Sequence, residues 1–305
     1  EFRRVLFRSY NKKVSNIDTE MDKLYSKLKN IKRTLKNVKE NGYEKENGEV
    51  TEGVDSELSF KRSGKLINHI HELVKEDLIE YGIDKELIYP KVGETSPELQ
   101  LAGYFKKKRQ DVCVKPRDIK EKKTEINWGP ILNQKKVTKN KIDIYGEELT
   151  RKTLTINIRS QLSGIKKNKD TLFERTIAES INLHKRHRKM VLGEVYMVAT
   201  HEYVKENGEI KKSVPNLEEY ISFFTEINGR IDENDEEYKY ERVALIIVDI
   251  HEDEVKIYTT TKQLIDDGLV SREFELELED ISFKNLSKDI INIYADRFRV
   301  SRILQ

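Results

Sequence analysis

Residues 153–200 read TLTINIRSQLSGIKKNKDTLFERTIAESINLHKRHRKMVLGEVYMVAT, and no other stretch indicates the fold as clearly. Its first eight residues are rich in β-branched side chains and alternate with a period of two, which is typical of a strand. We expect Asp170 to cap a helix that runs to about His184. Residues 190–200 form an apolar run that predicts a buried strand. A strand, a helix and a second strand in this order indicate an α/β fold.

Upstream of that unit, the sequence predicts one more helix and two short strands. Residues 64–81 carry apolar side chains on one helical face, and residues 86–89 and 111–114 are the strand candidates. Residues 115–150 are basic, contain Trp128 and lack a core pattern, so we expect a long excursion from the core. The predicted order is helix, strand, strand, strand, helix, strand, and the predicted fold class is α/β (α+β).

Residues 17–38 carry apolar side chains at alternating spacings of four and three, which is an a/d seam of about three heptads. The pattern predicts an amphipathic helix whose stripe packs either on a second chain or on its own domain. Residues 1–9, EFRRVLFRS, resemble translated sequencing-adapter DNA. The predicted divisions are non-native residues at 1–9, a helical arm at 10–40, a linker at 41–60, a core at 61–204 and a C-terminal α+β extension at 205–305.

The charges of the chain are segregated, although the formal net charge of its 305 residues is only +2. Residues 106–167 contain 18 Lys and Arg against 7 Asp and Glu. This excess predicts a face that meets a polyanion, and a solvated lysine-rich surface is the alternative. The single cysteine, Cys113, excludes an internal disulfide. No stretch approaches the roughly 18–20 apolar residues that cross a bilayer.

Isolated carboxylates beside the basic region are the candidates for chemistry. Phosphodiester hydrolysis needs carboxylates that hold divalent cations and a cation that stabilises the charge developing on phosphate. Asp111 begins a predicted strand directly after KKKRQ, and Arg159 ends another. Glu174 and Glu179 are about 140° apart around the predicted helix, so we expect only one of them to bind the same metal as Asp111.

Other acids are weaker candidates. Glu72, Glu76 and Glu98 each fit either a further metal ligand or an ordinary surface residue. Glu194 interrupts an apolar strand, where a buried acid needs a partner. Neither zinc-ligand spacing nor a glycine-rich nucleotide loop occurs, so no zinc site or nucleotide cofactor is predicted.

The order of elements and the position of Asp111 resemble the αβββαβ core of the PD-(D/E)xK nucleases, which include most type II restriction endonucleases. In that family the second strand carries the metal-binding aspartate, to which Asp111 corresponds. The third strand usually ends in Glu-x-Lys, whereas the corresponding residues here are Asn157, Ile158 and Arg159.

One branch of these enzymes moves the strand glutamate onto the following helix and keeps a basic residue on the strand. The stretch TINIRSQLSGIKKNKDTLFERTIAESINLH is similar to that branch. Glu174 matches the relocated glutamate better in spacing, and Glu179 matches it better in local context. Arg159 corresponds to the basic residue, with Lys152 as the alternative.

The resemblance implies a restriction-endonuclease-like core with a mixed sheet and a magnesium-dependent enzyme that cuts duplex DNA at a short specific sequence. It implies Mg²⁺ bound by Asp111 and Glu179, with Arg159 and Glu174 as further catalytic candidates. It also implies a cytoplasmic homodimer from a prokaryote, together with a separately acting DNA methyltransferase. The alternative is a protein that keeps the fold and binds DNA or another partner without cleaving it, because Glu-x-Lys is absent.

Overall fold

The computed structural model describes residues 17–125, 142–207, 209–251 and 254–299, so residues 1–9 and Trp128 lie outside the described residues. Within these ranges no helix is both long and apolar enough to cross a membrane. The helices are α1 (Ile17–Asn41), α2 (Gly53–Arg62), α3 (Asn68–Glu80), α4 (Glu147–Arg151), α5 (Ile165–His184), α6 (Leu217–Glu226), α7 (Thr261–Asp266) and α8 (Leu286–Phe298). The strands are β1 (Tyr43–Glu44), β2 (Val50–Thr51), β3 (Ile88–Tyr89), β4 (Leu99–Ala102), β5 (Lys107–Gln110), β6 (Val112–Val114), β7 (Thr124–Glu125), β8 (Ile142–Asp143), β9 (Leu154–Gln161), β10 (Leu192–Ala199), β11 (Glu202–Glu206), β12 (Glu209–Ser213), β13 (Arg242–Asp249) and β14 (Lys256–Tyr258).

Six strands form one sheet in the spatial order β14, β13, β10, β9, β6, β3. Strand β10 runs parallel to both β9 and β13, whereas the other neighbours pair antiparallel. Every residue of β10 is buried, as expected for a parallel strand covered on both faces. The α/β class and the mixed sheet are confirmed, and β13 and β14 of the predicted C-terminal extension continue the same sheet.

Alternate residues of β10 face helices on opposite sides of the sheet. A Cβ at Gly193 would come within 2.8 Å of Ile290 Cδ1, so α8 packs closely on one side. On the other side Tyr196 packs on Phe224 of α6, with ring centroids 4.6 Å apart, and Phe224 also contacts Phe173 of α5. Glu194 and Tyr196 are two positions apart on β10, so both face the side of the sheet on which α5 and α6 lie.

The chain order of the central elements is α3, β3, β6, β9, α5, β10, which is the predicted helix, strand, strand, strand, helix, strand. Two additions interrupt it. A hairpin of β4 and β5 lies between β3 and β6, and the β7–β8 pair and α4 lie between β6 and β9. The first addition leads directly into Asp111.

Helix α1 packs against its own chain, which was one of the two arrangements that the heptad pattern left open. Its seam residues Leu24, Leu28 and Ile31 are buried in the common core. Lys27 Nζ lies 2.8 Å from Glu76 Oε1 of α3. The buried Glu20 accepts a hydrogen bond from Asn285 N at 3.0 Å. The stripe is therefore covered within one molecule.

Three local predictions differ from the structure. Residues 41–60, predicted as a linker, contain the β1–β2 pair and most of α2. Helix α5 begins at Ile165 instead of being capped by Asp170, because the Glu202 carboxylate accepts the N–H groups of Gly164 and Ile165 at 2.5 and 2.7 Å. The sequence of residues 274–278, FELEL, also predicts a strand in the C-terminal extension, but these residues form none, because Thr261 Oγ1 donates to Leu276 O and accepts from Leu278 N.

Candidate active site

Asp111 lies between β5 and β6, where the ladder between β6 and β9 ends. The last paired residues there are Val112 and Ile156. Beyond them the backbone N–H of Ile158 donates to Asp111 Oδ2 at 2.7 Å, so the carboxylate replaces a strand carbonyl. Burial raises the pKa of Asp111, and the Ile158 N–H and the charges of Arg159 and Lys108 act in the opposite direction. The aspartate is thus fixed at the end of two strands and has two cations nearby.

Arg159 bridges two buried carboxylates. Its two terminal nitrogens donate to Glu194 of β10 and to Glu179 of α5. The side chains of Glu194 and Glu179 are 0% and 3% exposed, and that of Arg159 is 14% exposed. The bridge joins β9, β10 and α5, because all three side chains lie on the same side of the sheet.

Lys108 of β5 is the second cation at Glu179. Its Nζ lies 3.1 Å from Glu179 Oε2, the same oxygen that accepts from Arg159. The Lys108 side chain is 27% exposed, so it contacts the carboxylate and is also partly open to solvent. Lys108 is one of the basic residues of KKKRQ, and its sequence context predicted no role for it. Strand β5 turns it towards Glu179, three residues before Asp111.

Glu98 is a second carboxylate near Asp111. It is half-buried, and burial together with the negative charge of Asp111 raises the pKa of Glu98. Among the described residues it has no ion pair, unlike Glu72 and Glu76, which pair with Lys75 and Lys27. The charged cluster is defined here as Glu98, Lys108, Asp111, Arg159, Glu179 and Glu194.

Glu194 is the most deeply buried member of the charged cluster. Burial raises the pKa of Glu194 to about 8, and Arg159 acts to lower it. Its Oε1 accepts from Arg159, whereas its Oε2 has no hydrogen-bond partner among the described residues. The sequence signal, an acid inside an apolar strand, is matched by a basic partner on the adjacent strand.

Two predicted candidates lie away from the charged cluster. Glu174 is exposed, whereas Glu179 on the same helix is buried, so the position of Glu174 gives no support to the catalytic role predicted for it. Lys152, the alternative basic residue, precedes β9 and has its Nζ 3.3 Å from Glu148 Oε1. Asp111 contacts the other half of β9, at Ile158. Of the predicted residues, the structure brings together Asp111, Arg159 and Glu179.

The charged cluster provides only a few oxygen ligands for a hard cation such as Mg²⁺. In the parts of the chain that the structure describes, no three His, Cys, Asp or Glu side chains are grouped so that they could hold a metal by themselves. Mg²⁺ requires fewer, because it keeps several waters and is commonly bound by one or two carboxylates. Asp111 and Glu98 meet that requirement. Glu179 is occupied by Arg159 and Lys108.

No protein family model, curated protein sequence or solved structure matches this chain. The assignment of function therefore depends on the charged cluster and on the elements that hold it.

Proposed function

We propose that the protein is a magnesium-dependent endonuclease of the type II restriction kind, which hydrolyses phosphodiester bonds of duplex DNA at a short specific sequence. One observation carries the proposal. Asp111 lies at one end of β6 and β9, and the pairing of Leu99 with Gln110 brings Glu98 beside it; Arg159 and Lys108, whose charges act on Asp111, both contact Glu179. These residues belong to elements in the order helix, strand, strand, strand, helix, strand. Carboxylates for a metal and cations for a phosphate are what this reaction needs in one place.

Asp111 and Glu98 are the residues that would hold Mg²⁺. Asp111 Oδ2 is used by Ile158 N, and among the described residues no group donates to its other oxygen. When bound, Mg²⁺ would lower the pKa of a coordinated water and neutralise charge on the phosphate. Glu179, the second ligand predicted from the sequence, is better placed to anchor Arg159 and Lys108.

The reaction balances without an oxidant or reductant. The oxygen of a water molecule forms a bond to phosphorus, and the bond from phosphorus to one bridging sugar oxygen breaks. The water loses one proton and the departing sugar oxygen gains one. The residues of the charged cluster orient the phosphate and carry the charge that builds up on its oxygens.

Duplex DNA is the proposed partner because of the basic surplus in residues 106–167, which contain 18 Lys and Arg against 7 Asp and Glu. Such a surplus attracts phosphates without regard to sequence. A homodimer and a separately acting DNA methyltransferase belong to the same proposal. The dimer is tested by the mass of the protein in solution, with and without DNA.

The experiment compares Mg²⁺ with EDTA on long, unmethylated DNA of mixed sequence. The expected result is a set of discrete fragments that require Mg²⁺ and that Asp111→Asn reduces at least about 100-fold. Asp118→Asn is the matched control, because Asp118 is an exposed aspartate in the same basic region, and this variant should cut like the wild type. Absence of Mg²⁺-dependent cutting by the wild-type protein would overturn the proposal.

The two ion pairs of Arg159 favour a second function. Because both of its terminal nitrogens are taken by buried carboxylates, the cluster also fits a purely structural ion network in a DNA-binding protein that does not cleave. Electrophoretic mobility shifts on the same DNA separate the two functions. Binding without cleavage, unchanged in Asp111→Asn, supports the second.

A further inference from the structure

The two cations at Glu179 are held in different ways. Arg159 is fixed between Glu179 and Glu194, with 14% of its side chain exposed. Both terminal nitrogens are occupied, and releasing either one would leave a buried carboxylate without its cation. Breaking a buried ion pair from one side is strongly destabilising. Arg159 is therefore a poor candidate for a group that turns towards a substrate.

Lys108 has donors to spare. An ammonium group carries three N–H donors, and the described residues provide one ionic partner for it, Glu179 Oε2 at 3.1 Å. About a quarter of the side chain, 27%, is exposed. Its charge also acts to lower the pKa of Asp111, which places the ammonium within electrostatic reach of that carboxylate.

The backbone that carries Lys108 is held firmly. Lys108 pairs with Leu101 in the hairpin of β4 and β5, and Leu101 is fully buried. At the hairpin tip, Asn182 Oδ1 accepts the N–H groups of Phe105 and Lys106 at 2.8 and 3.1 Å, and Asn182 Nδ2 donates to Lys106 O at 3.0 Å. Asn182 and Glu179 both lie on α5, so one helix fixes the hairpin and receives its lysine.

We propose that Lys108 is the catalytic cation of this site, contacting the scissile phosphate and stabilising the charge that develops on it, while Arg159 is a positioning residue that holds Glu179. This inference rests on the proposed nuclease function. The cation that stabilises the phosphate is thus on β5, the strand that precedes Asp111. From the sequence, that cation was expected to be Arg159 of β9 or Lys152.

The test uses single-turnover cleavage of a duplex that carries one site mapped from the wild-type fragments. Lys108→Met keeps the aliphatic stem and removes the charge. Its rate of cleavage at saturating protein should fall about 100- to 1000-fold, the range seen when one preorganised group for a developing charge is removed. The Kd for the same duplex should change less than threefold. Lys108→Arg keeps the charge and should cleave within tenfold of the wild type.

Lys107→Met is the matched control, because Lys107 is the adjacent half-buried lysine on the same strand and has no ion pair among the described residues. At saturating protein its rate of cleavage should equal that of the wild type, because a lysine that only attracts DNA changes the Kd and not the rate of the bound complex. Thermal unfolding of each variant checks that the fold persists, and the Lys108→Arg rescue keeps the test decisive if Lys108→Met is unstable.

The outcomes separate the two proposals. A wild-type protein that does not cut removes the nuclease function and this inference together. A wild-type protein that cuts, with Lys108→Met within threefold of it, overturns the inference and leaves the nuclease function standing. A loss of binding that matches the loss of rate also overturns it, because Lys108 would then be a lysine that only binds DNA.

Discussion

Replacement of Glu241 by Gln tests the second buried centre of charge, which joins the end of α5 to the start of β10. Glu241 is fully buried, and its Oε1 accepts from Arg230 at 2.7 Å and also from Arg297. Its Oε2 accepts the N–H of Leu192 at 2.6 Å and lies 3.3 Å from His184 Nε2. The substitution keeps the shape of the side chain and leaves the buried Arg230 without its counter-charge.

The expected loss of stability is about 3–5 kcal/mol, the usual cost of removing one partner from a buried ion pair. The pKa of Glu241 supports this magnitude. Burial acts to raise that pKa, but His184, Arg297 and Arg230 outweigh it and lower it from 4.5 to about 2, which corresponds to about 3 kcal/mol. A domain of ordinary stability has about 5–15 kcal/mol in total, so the variant should still fold.

Urea unfolding followed by far-ultraviolet circular dichroism at pH 7 measures the difference. Glu233→Gln is the control, since Glu233 pairs with Lys189 at 3.2 Å on the surface, and its loss should cost less than about 1 kcal/mol. A difference below about 1 kcal/mol between Glu241→Gln and the wild type would refute the assignment of this centre as stabilising.

The sign of the pH dependence gives a second check on Glu241. Its pKa in the folded protein lies below the value of 4.5 for an unperturbed glutamate, so its contribution is complete above about pH 4.5. That contribution is lost as the pH falls towards 2. The difference between Glu241→Gln and the wild type should therefore narrow over this range, and a constant difference contradicts the charge-based explanation.

Three further predictions concern α1, the hairpin of β4 and β5, and the exposed face of α5. Leu28→Ala removes a fully buried side chain and should cost about 2–5 kcal/mol in urea unfolding while leaving the mass in solution unchanged; a change of oligomeric state would mean that the α1 stripe also serves another chain. Asn182→Ala removes three hydrogen bonds to the hairpin tip and should speed amide exchange of Phe105 and Lys106 about tenfold. Unchanged exchange rates would contradict the inference that Asn182 holds the hairpin. Glu174→Gln should cleave at a rate within twofold of the wild type, because Glu174 is exposed. A large loss of rate would instead support the catalytic role predicted for Glu174.

The central order of elements was predictable because each element carries its own local signal. The alternation in β9 and the apolar run of β10 both reflect burial in the sheet, and burial is visible in residue type. The start of α5 was not predictable, because its first N–H groups are capped by Glu202, which comes 38 residues after Gly164. A cap supplied through tertiary structure has no local pattern.

The charged cluster was predictable in part, because only some of its residues are marked by their place in the order of elements. Asp111 and Glu179 were identified from their places in the order of elements, and Arg159 from its place at the end of β9. Lys108 was not, because it belongs to a run of four basic residues, and the sequence does not tell which of them faces inward. The pairing of β5 with β4, in which Lys108 lies opposite Leu101, decides that orientation.

The hydrogen bond between Glu20 and Asn285 can form only late in the synthesis of the chain. The two residues are 265 positions apart. At about 5–20 residues per second, a ribosome needs on the order of 13–50 s to add Asn285 after Glu20 has been made. Throughout that interval Glu20 lacks the partner that α8 supplies at its start, whereas α2 and α3, which contact α1 through Ser56 and Glu76, have already been made. A chain released before Asn285 would therefore keep the packing of α1 on α2 and α3 and lose the contact that joins α1 to the C-terminal part of the fold.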